Sequence, residues 1–300
     1  MTPLPSDNII WTDDQGTADE KMLQHFFPPQ VKLFGNLVNT LHDLHPETSY
    51  KLTLSALSFS NRKKIRQKDQ DFYNLGIKRS YKFRNKQFNT YSYGMGKEVI
   101  LVHGWGSFGA RWKSYVNRLV NLGYKAIIVD APAHGTSPGR FLSIPDYIGI
   151  LMRLFNESHD LYAVVSHSIG GICSTVALNQ SIQRKKCKMI YLSAFNSCKT
   201  MLNKFSRCIG IKQKIIECIE GWIPKYAGNE LSYFSISKHL HTMQADIMLI
   251  YDKEDYIVPS TEVLTLLNTH SSIEYIPTFG LGHNLRSDTV VEQVLEFIKG

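Results

Sequence analysis

From residue 78 onward, short apolar runs of strand length alternate with longer amphipathic runs of helix length. The predicted strands are 98–102, 125–129, 162–165, 189–192, 247–251 and 273–276, preceded by a strand pair at 79–84 and 88–94. The predicted helices are 111–122, 144–156, 169–179, 260–268 and 288–298. This alternation predicts an α/β fold with a mostly parallel central sheet and helices on both faces. Ligands of such sheets bind at the carboxyl ends of the strands, so reactive side chains are expected there.

The first 76 residues lack this alternation and are predicted to form an N-terminal helical extension, with residues 77–300 as the main domain. A capping-box pattern at Thr17-Ala18-Asp19-Glu20 predicts one short helix. An apolar stripe predicts a second helix through Val31, Phe34, Val38 and Leu41. Docking of this stripe on its own domain is favoured over attachment to a membrane, because the polar face is poor in Lys and Arg.

Residues 196–243 separate two predicted strands and are too long for a simple connection. We therefore predict that they form a small helical cap. Apolar residues recur through the segment at Met201, Leu202, Phe205, Ile209, Ile215, Ile216, Ile219 and Trp222. Apolar stripes on helices usually pack into a core, so most of these side chains are expected to be packing residues. The remainder are candidates for lining an apolar acyl pocket.

The net charge of +8 is concentrated in one segment of the chain. Ten Lys or Arg and two Asp lie between Arg62 and Lys86, so the rest of the chain sums to zero. A basic patch can bind nucleic acid or anionic lipid, but a solvated helix followed by an exposed hairpin is the favoured interpretation, because no nucleic-acid-binding motif accompanies the run. We expect no nucleic-acid partner.

The cysteines and the hydropathy pattern bear on the compartment. Five cysteines without C-x-x-C spacing argue against a disulfide framework or a zinc site and favour a reducing environment. No basic segment followed by an apolar run opens the chain, and no apolar stretch is long enough to span a membrane. The expected location is cytoplasmic, without membrane association.

Ser168 lies in the segment Ser166-His167-Ser168-Ile169-Gly170, between a predicted strand and a predicted helix. A small-x-Ser-x-small pentapeptide in this context is typical of a nucleophile elbow. The turn is so tight that the positions two before and two after the serine must be small. The serine hydroxyl is then held at the helix N-terminus, where the backbone N–H of Ile169 is a candidate oxyanion donor.

A second glycine-rich turn follows the strand at 98–102 and reads His103-Gly104-Trp105-Gly106. It is the candidate for the other oxyanion donor, the backbone N–H of Trp105, because the glycines allow the backbone to approach a substrate oxygen closely. His103 is interpreted as a buried side chain that holds the loop, not as a proton shuttle.

The segment Asp130-Ala131-Pro132-Ala133-His134-Gly135-Thr136-Ser137 follows the next strand. It resembles the Asp-x-Pro-x-His-Gly-x-Ser loop of the α/β-hydrolase family, and the resemblance covers roughly residues 90–300. The closest likeness is to compact bacterial serine hydrolases and esterases with a small cap. In that family this loop is structural, so neither Asp130 nor His134 is expected to be catalytic.

The same resemblance implies the acid and the base. Gly280-Leu281-Gly282-His283 lies between the last strand and the last helix, where the family has its catalytic histidine. The segment from Asp252 to Pro259 resembles the family's Gly-x-x-Asp-x-x-Val-Pro acid turn, with Asp252 where glycine is commoner. Asp255 is then the expected acid, with capping of the following turn as its alternative role. Ser168, Asp255 and His283 occur in the family's order of nucleophile, acid and histidine.

These assignments predict a serine hydrolase that cleaves a carboxylic ester or thioester through an acyl-enzyme, acting on a small molecule with an acyl group. Neither a metal nor an organic cofactor is expected. Amide, lactone or carbon–carbon bond hydrolysis and perhydrolysis remain open with the same triad, as does a non-catalytic binding module on this fold. The oligomeric state is left open by the sequence.

Overall fold

The computed structural model describes residues 29–60, 62, 64–183 and 187–300. Within these ranges one sheet has eight strands: β1 (Ile77–Phe83), β2 (Lys86–Tyr93), β3 (Glu98–Val102), β4 (Lys125–Asp130), β5 (Leu161–His167), β6 (Lys188–Leu192), β7 (Ile247–Asp252) and β8 (Ile273–Thr278). Their order is β1-β2-β4-β3-β5-β6-β7-β8. Only β1 with β2 and β2 with β4 pair antiparallel among the described strands. The mostly parallel sheet is confirmed.

The described residues also include eleven α-helices. They are α1 (Pro29–Leu44), α2 (Pro46–Ser58), α3 (Gln67–Asn74), α4 (Lys113–Asn121), α5 (Ile144–Glu157), α6 (Ile169–Gln180), α7 (Cys198–Ile209), α8 (Gln213–Ala227), α9 (Ile236–Leu240), α10 (Ser260–Thr269) and α11 (Asp288–Lys299). Short 3₁₀ turns cover Gly109–Trp112, Leu231–Tyr233 and Gly282–Asn284. The elements after residue 78 begin and end within a few residues of the predicted ones, whereas α2 was not predicted.

Both faces of the sheet are covered, as the unbroken apolar strands require. Ile100 of β3 lies in the core on one face, with α5, α6, α10 and the helices of residues 196–243. The next residue, Leu101, lies in the core on the other face, with α3, α4 and α11. Because successive side chains of a strand point to opposite faces, a strand between two helical layers must be apolar at every position.

Helices α1 and α2 pack on α7 and α8. Asn39 Nδ2 donates to Gly210 O at 2.7 Å, and Lys212 N donates back to Asn39 Oδ1 at 2.9 Å. Gly35 permits the close approach of α1, since a Cβ there would lie 2.2 Å from Ile209 O. Val38 is fully buried on this side, so the predicted stripe docks on the protein itself.

Two predictions for the N-terminal region differ in outcome. The helix predicted from the capping box at residues 17–20 lies outside the described residues. The basic segment was interpreted as a solvated helix and an exposed hairpin, but its helix α3 buries Phe72 and Tyr73 against the sheet. The solvated interpretation was therefore wrong for one face of α3, because an aromatic pair follows its charged residues. The exposed hairpin was wrong for β2, which pairs with β4 and buries Phe88 and Tyr91, whereas β1 is mostly exposed. In the part of the chain that the structure describes, no helix is long and apolar enough to cross a membrane.

Candidate active site

Ser168 occupies a strained turn between β5 and α6. Its backbone has φ 55° and ψ −130°, although it carries a side chain. A non-glycine residue in such a conformation costs about 1–3 kcal/mol and persists only where its surroundings enforce it. Here Ser168 N donates to Leu192 O at 3.0 Å, and Gly171 N donates to Ser168 O at 3.0 Å. The serine is thereby fixed at the first turn of a helix.

The small residues around Ser168 are required by close contacts. A Cβ on Gly170 would lie 2.9 Å from His103 O, and one on Gly171 would lie 2.6 Å from Ala194 Cβ. Ser166 is fully buried, and its hydroxyl donates to Ile190 O at 3.2 Å. Serine at this position is therefore accommodated within the sheet, in place of the glycine that the family pattern commonly has.

His283 joins Ser168 to Asp255. The imidazole Nε2 lies 3.1 Å from Ser168 Oγ, and Nδ1 lies 2.9 Å from Asp255 Oδ2. A carboxylate only accepts hydrogen bonds, so Nδ1 carries the proton and Nε2 is free to accept one from the serine. The structure thus brings together the three side chains predicted from the sequence, although they come from the ends of β5, β7 and β8.

Asp255 has no exposed side-chain surface. Its Oδ1 accepts hydrogen bonds from Ile257 N at 2.9 Å and Val258 N at 3.0 Å, which leaves Oδ2 for His283. Asp255 thus caps the following turn and faces the histidine at once. Of the other acidic residues near β7, Asp246 precedes the strand and Glu254 is exposed. The carboxylate of Asp252 is engaged elsewhere, by Glu254 N, Thr278 Oγ1 and Leu281 N.

The loop that carries His283 is held by neighbouring loops. His167 directly precedes Ser168, and its Nε2 donates a hydrogen bond to His283 O at 2.8 Å. The centroids of the two imidazole rings are 4.8 Å apart. Arg111 donates to Asn284 O at 3.1 Å. Burial lowers the pKa of His167 well below 6.5, so its ring is neutral and Nε2 carries the proton that it donates.

His103 and His134 tie two glycine-containing loops together beside Ser168. His103 Nε2 accepts from Ala131 N at 3.1 Å, and its Nδ1 donates to Gly104 O at 2.8 Å. His134 Nε2 accepts from Gly106 N at 3.1 Å. Burial lowers the pKa of both rings below 6.5. Both are neutral residues that shape the loop, in keeping with the interpretation of His103 from sequence.

The predicted oxyanion donors belong to the two segments next to Ser168. A Cβ on Gly104 would lie 2.8 Å from Ser168 Cβ, so the loop leading to Trp105 passes directly over the serine. No described residue accepts a hydrogen bond from the Trp105 N–H. Ile169 is the first residue of α6, and an N–H at that position has no partner within the helix. Both N–H groups therefore remain candidates for binding a substrate oxygen.

Asp130 is a second buried carboxylate, and its environment differs from that of Asp255. It accepts hydrogen bonds from Gly109 N at 2.6 Å, from Thr136 N and Oγ1 at 2.8 and 2.9 Å, and from the Tyr73 hydroxyl at 3.0 Å. Burial raises its pKa. Sequence reasoning missed Tyr73, since nothing local marks a tyrosine of α3 as a partner for a loop far along the chain.

Two buried charged side chains anchor the segment 196–243, one to the acid turn and one to α10. Lys204 of α7 donates to Tyr256 O at 2.8 Å, next to Asp255. Glu262 accepts from Asn196 N at 2.7 Å and Ser197 N at 2.8 Å, where this segment begins. Five of its apolar residues that were predicted to pack are indeed buried: Leu202, Ile209, Ile215, Ile216 and Ile219. In the described part of the chain, no cluster of three metal-ligating side chains is present.

Comparison with known proteins identifies the class. The sequence model of the alpha/beta hydrolase family matches residues 99–271, more than half of the chain, and the chain belongs to this family. This match and the fold agree with the resemblance found in the sequence.

Curated relatives match only in part. A pimeloyl-[acyl-carrier protein] methyl ester esterase of Vibrio vulnificus (strain CMCP6) is 33% identical over 82 residues, which are 27% of this chain and 31% of that protein. The enzyme of the same name from Legionella pneumophila (strain Lens) is 30% identical over 83 residues, 28% of this chain and 32% of that one. The chain thus matches about a third of the length of these relatives.

Solved structures show a similar fold at low sequence identity. The thioesterase domain from the curacin biosynthetic pathway has a TM-score of 0.55 at 16% identity, covering 75% of this chain and 99% of that domain. An esterase of Pyrococcus furiosus has a TM-score of 0.56 at 17% identity, covering 80% of this chain and 96% of that one. At such identities the likeness concerns the fold alone.

Proposed function

We propose that this protein is a serine hydrolase that cleaves a carboxylic ester or thioester. The observation that carries the proposal is the hydrogen-bonded series from Asp255 through His283 to Ser168, which ends at a serine held in a strained elbow. The partly matching relatives are named as methyl ester esterases, which supports ester hydrolysis as the reaction class. A binding module would have no need to hold these three groups in contact at the cost of backbone strain.

In the proposed reaction, Ser168 Oγ attacks the acyl carbon while His283 Nε2 takes the hydroxyl proton. Asp255 orients the imidazole and stabilises its cationic form. The carbonyl oxygen becomes an oxyanion and accepts hydrogen bonds from Trp105 N and Ile169 N. The carbon–oxygen or carbon–sulfur bond then breaks, and His283 gives its proton to the leaving alcohol or thiol.

The acyl-enzyme is hydrolysed by the same groups. His283 takes a proton from a water molecule, whose oxygen attacks the acyl carbon, and the second tetrahedral intermediate forms. When it collapses, Ser168 leaves and recovers its proton from the imidazolium. The products are the free acid and the alcohol or thiol. Each step uses only protein groups, substrate and water.

We further propose that residues 196–243 act as a cap over the site and supply an apolar surface for the acyl chain. Met201, Phe205 and Trp222 of this segment are only partly buried, and we propose their exposed surfaces as contacts for the acyl chain. Residues 1–76 remain an N-terminal extension in this proposal, with residues 77–300 as the catalytic domain. The five cysteines are free, which supports a reducing compartment such as the cytoplasm.

Labelling with a fluorophosphonate probe tests the proposal directly. The wild-type protein is expected to be labelled at Ser168, and the Ser168→Ala variant is expected to remain unlabelled while folded. A panel of p-nitrophenyl esters and acyl thioesters of increasing chain length, with matched amides and lactones, then identifies the bond cleaved. Absence of labelling in the folded wild-type protein would overturn the hydrolase assignment.

A further inference from the structure

Asp252 is the last residue of β7 and is fully buried, three residues before Asp255. Its Oδ1 accepts from Glu254 N at 3.0 Å. Its Oδ2 accepts from Thr278 Oγ1 at 2.7 Å and from Leu281 N at 3.0 Å. Its carboxylate therefore touches two loops at once, the acid turn after β7 and the loop after β8 that carries His283.

This contact lies where the sheet can no longer hold the two loops together. β7 and β8 pair in parallel up to the register Asp252 with Thr278, which is the last pair of the ladder. Beyond it, Lys253 N still donates to Thr278 O at 2.9 Å. The carboxylate of Asp252 extends the connection to Leu281, two residues before His283.

The loop after β8 needs a restraint from outside the loop, because Leu281, the residue that Asp252 holds, lies between two glycines. Gly280 has φ 74° and Gly282 has φ 55°, both in the left-handed region. Because glycine has no Cβ, its backbone can adopt many conformations, so a segment between two glycines is poorly fixed by itself. The hydrogen bond from Leu281 N to Asp252 acts between these two flexible points.

The bonds to Asp252 are charge-assisted. Burial by itself would raise the pKa of this carboxyl, but hydrogen bonds from Thr278, Leu281, Glu254 and Gly282 hold the pKa below 3.8. The group is therefore ionised at neutral pH. Hydrogen bonds to an ionised acceptor are roughly twice as strong as those between neutral groups, which suits a restraint on a glycine-rich loop.

We infer that Asp252 is a positioning residue for the proposed reaction, which ties the acid turn to the histidine loop and so fixes the imidazole of His283 between Asp255 and Ser168. This inference rests on the proposed function. The Asp252 carboxylate contacts Thr278 Oγ1 and the backbone N–H groups of Glu254 and Leu281, so it acts on the reaction only by holding the two loops. The family pattern commonly has glycine at this position, and glycine has no side chain to make the connection.

The Asp252→Asn variant tests the role with little change in shape. An amide has only one acceptor oxygen, so in either orientation its NH₂ group must face a backbone N–H, that of Glu254 or that of Leu281. We expect kcat for a short p-nitrophenyl ester to fall on the order of 10-fold, within the 10²-fold that misplacing a catalytic group can cost. KM is expected to change by less than about twofold, since no contact with the acyl group is removed.

A spectroscopic measurement separates positioning from stability. In the wild-type protein, the proton between His283 Nδ1 and Asp255 should give a downfield resonance in the proton NMR spectrum. We expect this resonance to broaden or disappear in Asp252→Asn while the protein remains folded. The Thr278→Val variant removes a single donor to Oδ2 and should show a smaller effect in the same direction.

Glu98→Gln is the matched control. Glu98 is a buried carboxylate at the opposite, amino end of β3, where it accepts hydrogen bonds from Lys125 and Ser158. The Glu98→Gln variant should have a lower free energy of unfolding than the wild-type protein, with the same kcat and the same downfield resonance. Asp252→Asn with wild-type kcat and an unchanged resonance would overturn the inference. If instead Asp252→Asn is inactive and Asp255→Asn is near wild type, Asp252 is the acid itself. Failure of wild-type labelling by fluorophosphonate would count against the hydrolase assignment separately.

Discussion

The loop after β4 and the pair of loops after β7 and β8 each contain a buried aspartate and a histidine, yet the hydrogen bonds of these side chains go to different kinds of partner. In the β4 loop, Asp130 accepts from backbone and hydroxyl donors on all sides, and both ring nitrogens of His134 are engaged. In the other pair, Asp255 binds His283, whose remaining nitrogen faces the hydroxyl of Ser168.

The difference teaches that hydrogen-bonding capacity, not residue type, separates a structural site from a reactive one. In the β4 loop, both carboxylate oxygens of Asp130 and both ring nitrogens of His134 already have hydrogen-bond partners, and burial keeps His134 neutral by lowering its pKa. In the β7 and β8 loops, His283 Nε2 faces the Ser168 hydroxyl, with which it can exchange a proton. A buried network whose bonds are all made adds rigidity, whereas one that ends on a transferable proton can perform chemistry.

The largest effect is expected from Ser168→Ala, which removes the group at the end of the reactive network. Loss of a serine nucleophile in comparable triads costs about 10⁶-fold in kcat. Hydrolysis of a short p-nitrophenyl ester should therefore fall to background, with a melting temperature close to wild type because alanine fits the same turn. A well-folded variant that keeps most activity would contradict the assignment.

Ser166→Gly is the control for that substitution. It removes the Cβ and the hydroxyl that donates to Ile190 O, two positions before Ser168. Because a single neutral hydrogen bond contributes about 1 kcal/mol net, a modest fall in stability is expected. Most of the esterase activity should remain.

Asp255→Asn should have the next largest effect, by breaking the network at its acid. The amide cannot both accept from the backbone of Ile257 and Val258 and present an acceptor to His283 Nδ1. Misorientation of the imidazole should cost about 10²–10⁴-fold in kcat, measured with a short ester. Glu254→Gln, on an exposed neighbour, should leave kcat unchanged, and Asp252→Asn should cost far less than Asp255→Asn.

The pH dependence of activity should separate His283 from the structural histidines. His283 must be neutral to act as a base, so kcat/KM should rise as pH increases and then level off. Burial lowers the pKa values of His103, His134 and His167, and the ring hydrogen-bonded to Ser168 Oγ is that of His283, so the rise is expected to follow His283. A flat profile from about pH 5 to 8, with chemistry rate-limiting, would sink the assignment of His283.

The same buried histidines predict a smaller effect on stability. Their folded-state pKa values lie below the unfolded value of 6.5, so the unfolded chain binds more protons as pH falls. Stability is therefore full above pH 6.5 and should decrease as pH falls below it. Urea denaturation at about pH 7.5 and pH 5.5 measures this change. Equal unfolding free energies at the two pH values would show that these rings are not held neutral.

Local sequence patterns were sufficient for the sheet and for the residues of the elbow. Alternating strand and helix lengths specified β3 to β8 because each pattern reports burial over a few neighbouring residues. The small residues around Ser168 were recognisable because a tight turn excludes side chains within one pentapeptide. Helix α2 was missed, since its buried residues, Ser49 and Thr53, are polar and do not form an apolar stripe in the sequence.

The sequence by itself determined which chemical groups this protein has and the order in which they follow the strands. Only the tertiary structure decided which of them meet. Tyr73 with Asp130, Asp252 with Leu281, and α1 with α7 are contacts between residues far apart in the chain. Such pairs leave no periodic signal, because a hydrogen bond across loops depends on where the sheet brings two strand ends, and that is set by the packing of the whole core.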